Sequence, residues 1–522
     1  MDLSVDVHTE HTAAEGFKAR ALAWLAADRQ RRYWVLVLFV AALLVRLHWN
    51  LRVHPLQSFV FSDMKGYWGR ADAVLDHPFS VGEYQAFFPF GTTWLLAGIK
   101  AVFGRDAFGA VSVVYAIMGA SVVAASYAIA DRIACSMGAR ARWLAPAVGL
   151  FLTVYYPLLA IGGYILSELP FCFCLTISLL LLVRIVDGDG GPRDAWLLGT
   201  MLGIGALFRP QILLSIAVVG VLWLLMVIGS RRGKPNPYAR LSWAMLGRVA
   251  VPLVLLLTMA SIRYYAHTKE LGLVSGNSSI NLVFGRCHNK GIYSRPDGEG
   301  HSTVRFSPPP LIQLEIFSAE HPDALFQTRS VWGDHPEPVE DVPGFAVDSY
   351  GCKRRKCHQA GSEIEYRGYI GDKDIHKKIV RACIERGGLA RQAYFTATHW
   401  VMLWRLNVMW PDQANPRPRS EEPRETWRWR QQVWAQIHRG VLMVPALLGL
   451  AFVLVPRRRP KEALVSANLW ALLVVAGIWF GDMRMRASYD PIITLLAAFS
   501  YAIAWERGRA WLAKRRESKR SA

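Results

Sequence analysis

The chain has 522 residues and a net charge of +20, and it is 52% hydrophobic but only 19% charged. Soluble domains carry about 25% charged residues; here the apolar residues fall in long runs, with a mean hydropathy of +0.20. A soluble globular domain is thereby excluded, and a polytopic membrane protein is expected. Lys and Arg gather beside the apolar runs, a pattern that membrane topology explains and nucleic-acid binding does not.

The first 32 residues are polar and mixed in charge, and no small-residue cleavage site follows the apolar run after them. That run reads as a retained first span. Residues 14–32 form either an amphipathic helix on the inner membrane surface, with Phe17, Leu22, Trp24 and Leu25 facing lipid, or a disordered tail with helical tendency. A span needs about 20 mostly apolar residues. Ten stretches qualify as candidates: 33–49, 107–133, 143–159, 169–186, 195–208, 212–228, 249–265, 440–455, 464–480 and 491–505.

Basic residues then orient the chain. Arg29, Arg31 and Arg32 put the N-terminus in the cytoplasm. Arg132, Arg140 and Arg142 return inside, as do Arg184 and Arg193, the loop 229–248, the run Arg457-Arg458-Arg459 with Lys461, and the basic tail 507–522. Ten spans satisfy all of these loops.

Two regions remain outside, 50–106 and 266–438. Within the first, 87–103 reads as a helix on the outer surface, because Pro89, Gly91, Lys100 and the Gly104-Arg105-Asp106 exit disfavour a span. The second is large enough for a small domain and carries turn signals at Arg295-Pro296-Asp297-Gly298 and Ser307-Pro308-Pro309-Pro310. Its end, 377–410, has an amphipathic pattern with Trp400, Trp404 and Trp410, which predicts an interfacial helix. The expected organisation is a cytoplasmic segment 1–32, a membrane region 33–265, an external domain 266–438, C-terminal spans within 439–506 and a cytoplasmic tail. The fold class is an all-α polytopic membrane protein of about ten transmembrane helices with a small external domain in the C-terminal half.

Cys287, Cys352, Cys357 and Cys383 share the external region, where disulfides form. Four cysteines allow three pairings. Zinc is the competing reading, since His288 and His358 each follow a cysteine, but the spacings match no zinc motif well.

Chemistry-bearing motifs are few. Asp187-Gly188-Asp189 resembles a metal-holding D-x-D, but inside Asp-Gly-Asp-Gly-Gly-Pro it reads as a turn. No P-loop, H-E-x-x-H or nucleophile elbow occurs, which argues against ATP-driven transport. The stretch Ser62-Asp63-Met64-Lys65-Gly66-Tyr67-Trp68 follows the first span. Asp63 reads as a helix cap, and a carboxylate there also suits proton abstraction from an acceptor. Glu168, Arg209, Arg263, Arg484 and Arg486 all fall at expected outer span ends. Charges near a bilayer are costly and are usually paired or functional. Guanidinium groups match phosphate geometry.

In their order, these pieces resemble the GT-C glycosyltransferases of the protein-mannosyltransferase and aminoarabinose-transferase type (glycosyltransferase family 39-like). The matching pieces are Ser62-Asp63 to Tyr67, Phe88-Pro89-Phe90-Gly91 to Val102-Phe103-Gly104, Ser167-Glu168, Phe208-Arg209-Pro210, and Arg484-Met485-Arg486 to Asp490-Pro491. The stretch from Gly276-Asn277 to Asn281 and Gly285 resembles the start of the external region in bacterial relatives. The resemblance implies transfer of a hexose or pentose from a polyprenyl-phosphate donor to an extracytoplasmic glycan, lipid or protein, at a bacterial-type plasma membrane. It implies Asp63 as general base and Glu168 as its catalytic companion. Arg209, Arg263, Arg484, Arg486 and Lys65 would face the donor phosphate, and Tyr67 and Trp68 the acceptor or sugar. It points to no certain cofactor, and a divalent metal ion is compatible with it. The chain departs from the pattern in having a lone Asp63, where many relatives carry a doubled acid, and Phe88-Pro89 in place of Pro-Pro. A lipid-linked-sugar flippase, or a polysaccharide ligase or polymerase, is the alternative.

Overall fold

The computed structural model describes residues 29–521 except 62, 82, 138–142, 287–293, 297–301, 305–356, 360–361, 365–372, 405–432 and 482. The expected amphipathic segment up to residue 28, the cysteine pairing and Trp410 lie outside what is described.

The chain begins with α1 (Arg29–His48), which continues through a π turn at Trp49–Val53 and a 3-10 turn at Leu56–Phe59. Next come α2 (Asp63–Asp76), the short α3 (Glu83–Phe87), α4 (Gly91–Phe103) and the long α5 (Phe108–Met137). The pair α6 (Leu144–Val154) and α7 (Tyr156–Gly162) is bent by 51°. Then follow α8 (Glu168–Asp187), α9 (Pro192–Phe208), α10 (Ile212–Arg231) and α11 (Trp243–Thr268). The next region contributes α12 (Ser278–Arg286), two three-residue antiparallel hairpins (β1 Ser294–Pro296 with β2 Ser302–Val304, and β3 Cys357–Gln359 with β4 Ser362–Ile364) and α13 (Lys373–Trp404). The chain closes with α14 (Val433–Leu454), α15 (Pro460–Ile478), the short α16 (Met483–Ala487) and α17 (Asp490–Ser521).

Local chemistry sets the helix ends. Ser242 caps α11 by accepting the Met245 N–H at 3.3 Å. Pro192 opens α9, where Asp194 accepts the Gly191 N–H at 2.9 Å. Gly188, at φ 89°, takes the left-handed turn that ends α8. The Asp187-Gly188-Asp189 motif is therefore a helix-terminating turn.

All ten expected stretches are helical. Seven of the described helices are long and apolar enough to cross a membrane, and eight if the bent α6–α7 pair is one span. The shortfall from ten has two sources. The α9 helix has only 17 residues, and the apolar part of α17 runs into Glu506, Arg507 and Arg509. Only 6% of the apolar window of α11 is buried, so Val254, Leu255 and Ile262 face outward. A surface of that kind is stable against lipid and not against water.

The helices α1, α5, α8, α9 and α11 pack in succession, and α15 fills the space beside α10, α13 and α17. The expected interfacial helix at 377–410 is instead broken at Gly388, with φ 69°, and its second half packs against α15. Trp400 donates to the Leu473 carbonyl at 2.9 Å yet stays 42% exposed, and Trp404 is buried, so Trp404 serves packing while Trp400 keeps an outward face.

Charges collect at both ends of α8. At Asp187, Arg132 reaches Asp189 at 2.6 Å and Lys461 reaches Asp187 at 2.9 Å, while Arg31 pairs with Asp131 at 2.5 Å. The opposite end starts at Glu168. The 20 residues between these ends rise about 30 Å, the thickness of a bilayer's hydrocarbon core.

Candidate active site

Four chain segments meet at the Glu168 end. The first is the start of α2, where Asp63 is the first helical residue. The second is the start of α8, whose approach is fixed by Tyr115 donating to the Leu166 carbonyl at 3.1 Å. The third is α16, carrying Arg484. A fourth, the α9–α10 junction, brings Arg209. Gly91 makes room for that junction, because a Cβ there would stand 2.8 Å from the Leu207 backbone. Phe88-Pro89 and Phe208-Arg209 consequently wall the same cavity.

The charged groups form one network. Arg484 Nη1 donates to Asp63 Oδ2 at 2.6 Å, and Arg484 Nε donates to Glu168 Oε1. Arg209 Nη2 donates to the same Glu168 oxygen at 3.2 Å. Glu168 is fully buried. A carboxylate there is tolerable only because two guanidinium groups compensate it. Burial alone would weaken the basicity of Arg484, but the Glu168 and Asp63 carboxylates override this and hold it well above its ordinary value. Tyr67 is buried, and that burial together with the charge of Asp63 raises its hydroxyl above the usual phenol range.

The network opens on a cavity of about 880 Å³. Asp63, Tyr67, Arg209, Gln211, Tyr264 and Arg484 give it a polar side, and Leu213, Leu214, Leu271 and Leu273 an apolar one. Leu271 and Leu273 are also exposed to the outside. The space thus has charged groups at one side and a greasy mouth at the other.

Other expected site residues stand apart from this cavity's lining. Lys65 is exposed on α2. Trp68 stacks on Phe108 at 4.0 Å and lies under the Lys100 ammonium, a packing position. Arg486 is buried 3.5 Å from Asp490 and donates to the Leu403 carbonyl at 3.4 Å, tying α16 to α13 and α17. Arg263 lies over the Phe90 ring and donates to the Gln85 carbonyl at 3.0 Å, while its neighbour Tyr264 lines the cavity. Arg263 has no carboxylate within ion-pair distance among the described residues, and its Nη1 is buried without a protein partner.

Three features were not read from the sequence. Gln211, one residue beyond the Arg209-Pro210 motif, lines the cavity. Tyr489 stands directly before Asp490-Pro491 and is fully buried. His399 accepts the Gly481 N–H through Nδ1 at 3.4 Å and donates from Nε2 to the Gly285 carbonyl at 3.1 Å. It thereby holds the segment that leads into α16 and Arg484. Position next to a quoted motif was the available signal for the first two; His399 had none.

Among the described residues no three His, Cys, Asp or Glu side chains gather in a metal-binding group. Asp63 and Glu168 are each engaged by guanidinium nitrogens. This donor set does not fit a divalent cation.

No family model and no curated protein matches the sequence. Solved structures of similar shape include the Archaeoglobus fulgidus oligosaccharyltransferase in its apo form, at 12% identity and a TM-score of 0.44, covering 94% of this chain and 52% of that one. They also include ArnT from Cupriavidus metallidurans bound to undecaprenyl phosphate, at 15% identity and a TM-score of 0.34, covering 89% and 77%. The chain spans about half the length of the oligosaccharyltransferase it matches. At this level of similarity the site's own geometry has to carry the chemistry.

Proposed function

We propose that the protein is an integral-membrane glycosyltransferase. It moves a sugar from a polyprenyl-phosphate donor to a hydroxyl or amine of an extracytoplasmic glycan, lipid or protein, with Asp63 as general base. The observation that carries this reading is the bridge from Asp63 through Arg484 to Glu168 at the wall of a cavity whose mouth is apolar. A transporter would place its polar groups near the bilayer midplane on broken helices. Here they sit at helix ends, one hydrocarbon thickness from the basic network of Arg132 and Lys461.

The chemistry follows from charge movement. The acceptor's proton passes to Asp63 as its oxygen or nitrogen attacks the anomeric carbon. The bond from that carbon to the phosphate oxygen breaks on the opposite face, with inversion. Asp63 loses its negative charge in this step and the leaving phosphate gains one. Arg484, held against Asp63 at 2.6 Å, is released from one anion as the other forms. Stabilisation that grows toward the transition state is what raises turnover. Arg263, unmatched by any described carboxylate and next in sequence to the lining residue Tyr264, adds surplus positive charge behind the cavity wall that favours the donor phosphate without lining its site. Glu168 keeps Arg209 and Arg484 in place.

Asp63→Asn should lower sugar transfer at least about 100-fold, the usual span for a lost general base, with insertion and expression unchanged. Transfer is read in membranes supplied with polyprenyl-phosphate sugars and acceptor extracts. Wild-type turnover in the variant would remove Asp63 from the base role. Lipid and glycan analysis of a deletion strain decides between classes: an acceptor missing one sugar supports transfer, and carrier-linked sugar accumulating in the inner leaflet would make the protein a flippase.

A further inference from the structure

Beside the charged network lies a set of polar groups that the transfer step does not use. Arg209 and Gln211 line the cavity. Tyr489, fully buried, and Ser215, 3% exposed, adjoin them. The Tyr489 hydroxyl lies against the Ser215 hydroxyl and the Gln211 amide, with the Arg209 guanidinium close by, yet makes no well-formed hydrogen bond to any of them. Its ring is fixed against Phe171, with centroids 5.7 Å apart. Arg209 Nη1, Gln211 Nε2, Ser215 Oγ and Tyr489 Oη are all buried and all lack a protein partner. Buried polar atoms are nearly always satisfied; orphans on two residues of the cavity lining, Arg209 and Gln211, with those of Ser215 and Tyr489 beside them, point to a ligand.

Charge decides the ligand's class. The guanidinium groups of Arg209 and Arg484 are matched by the carboxylates of Glu168 and Asp63, so the local charge sums to zero. An anion placed here would meet no surplus positive charge. An uncharged hydroxyl needs only donors and acceptors. Arg209 and Gln211 offer N–H donors, and the two hydroxyls donate or accept. That mixture complements sugar hydroxyls, each of which donates once and accepts twice.

We propose that Arg209, Gln211, Ser215 and Tyr489 form the subsite for an uncharged, hydroxyl-bearing edge of the donor's sugar ring, separate from the place where its phosphate is held. This rests on the glycosyltransferase reading and sharpens it: sugar identity is read at the α9–α10 junction and at Tyr489, and carrier affinity elsewhere. A site built to hydrogen-bond a hydroxyl rejects a ligand that lacks it far more strongly than an apolar site rejects a wrong shape.

The test uses the full-length protein in detergent, with bare undecaprenyl phosphate and a panel of undecaprenyl-phosphate hexoses and pentoses as probes. Binding is measured for wild type, Tyr489→Phe and Ser215→Ala. Wild type should bind at least one sugar-bearing probe more tightly than bare carrier. Each variant should erase that increment, by about 10-fold for one good hydrogen bond, while keeping its affinity for bare carrier. If Tyr489→Phe fails to fold, Ser215→Ala carries the comparison. An increment that persists in the variants overturns the proposal, because the groups then hold only solvent. An equal loss for bare carrier also overturns it, because they then serve the phosphate. A wild type that binds bare carrier but no sugar-bearing probe more tightly overturns it as well. Failure to bind any polyprenyl phosphate would instead overturn the glycosyltransferase reading on which it rests.

Discussion

Glu168 is the residue on which the site's arrangement depends. It is fully buried and accepts from two arginines, and the only other described carboxylate in the network is Asp63. Removing one member of a buried charge cluster leaves the others uncompensated, which typically costs about 3–5 kcal/mol. Glu168→Gln should therefore lower thermal stability in detergent by an amount of that order, and should cut transfer by releasing Arg484. Lys65→Ala, on the exposed face of α2, should stay within about 0.5 kcal/mol of wild type. Equal melting temperatures for Glu168→Gln and wild type would mean that Glu168 is not ionised in the folded protein. Asp63, Glu168, Arg209 and Arg484 were each legible in the sequence as charges at span ends. Their pairing was not, because the partners lie 421 and 316 residues apart for Arg484 and 41 for Arg209. Arg486 was misleading for a physical reason. It sits two residues from Arg484 on a short helix, and its side chain turns into the bundle toward Asp490 and the Leu403 carbonyl.

Among the elements, α13 shows how a segment outside the charged network helps to hold it in place. Its His399 is fully buried and bridges Gly285 on α12 to Gly481, just ahead of α16. Close approach is built in, since a Cβ on Gly285 would fall 1.3 Å from the Trp479 carbonyl oxygen. Burial pushes the His399 imidazole down to about 4, with the Arg286 charge acting in the same direction. The ring is thus neutral in the fold, and the unfolded chain, with an ordinary value near 6.5, binds the proton first. Stability from this contact is complete above about pH 6.5 and drains away as pH falls toward 4. Linkage limits it to about 3 kcal/mol. His399→Gln should accordingly melt below wild type at pH 7.5, and the gap should narrow as the pH is lowered to 5. A gap that stays constant over this range would show that the imidazole's protonation plays no part. The helical pattern of this stretch was readable from the sequence, but its role was not. Tryptophans four residues apart on a helix look the same whether they meet lipid or, like Trp404 beside His438 of α14, are buried in packing.

For the whole molecule, two charged layers face each other across the length of α8. Alternating hydropathy gave the helices their order, and basic loops gave them a direction; both kinds of signal are local and survive in a single sequence. Span number was harder, because α9 and α17 lie near the lower limits of length and apolarity at which a helix can be told from a span. Orientation has a direct test. The positive-inside rule would place the Arg132–Asp189 and Lys461–Asp187 layer in the cytoplasm, and so Asp63 and its cavity outside. Lys65 is exposed two residues after Asp63, and Lys234 is exposed in the basic loop after α10. In a cysteine-free background, Lys65→Cys should react with a membrane-impermeant maleimide in intact cells. Lys234→Cys should react only after the membrane is opened. The reverse pattern would put the cavity on the cytoplasmic side, where nucleotide-linked sugars are also present, and would remove the reason for a lipid-borne donor. Labelling of both sites from outside would mean that an even number of spans separates them, and the short α9 is where that count would have to change.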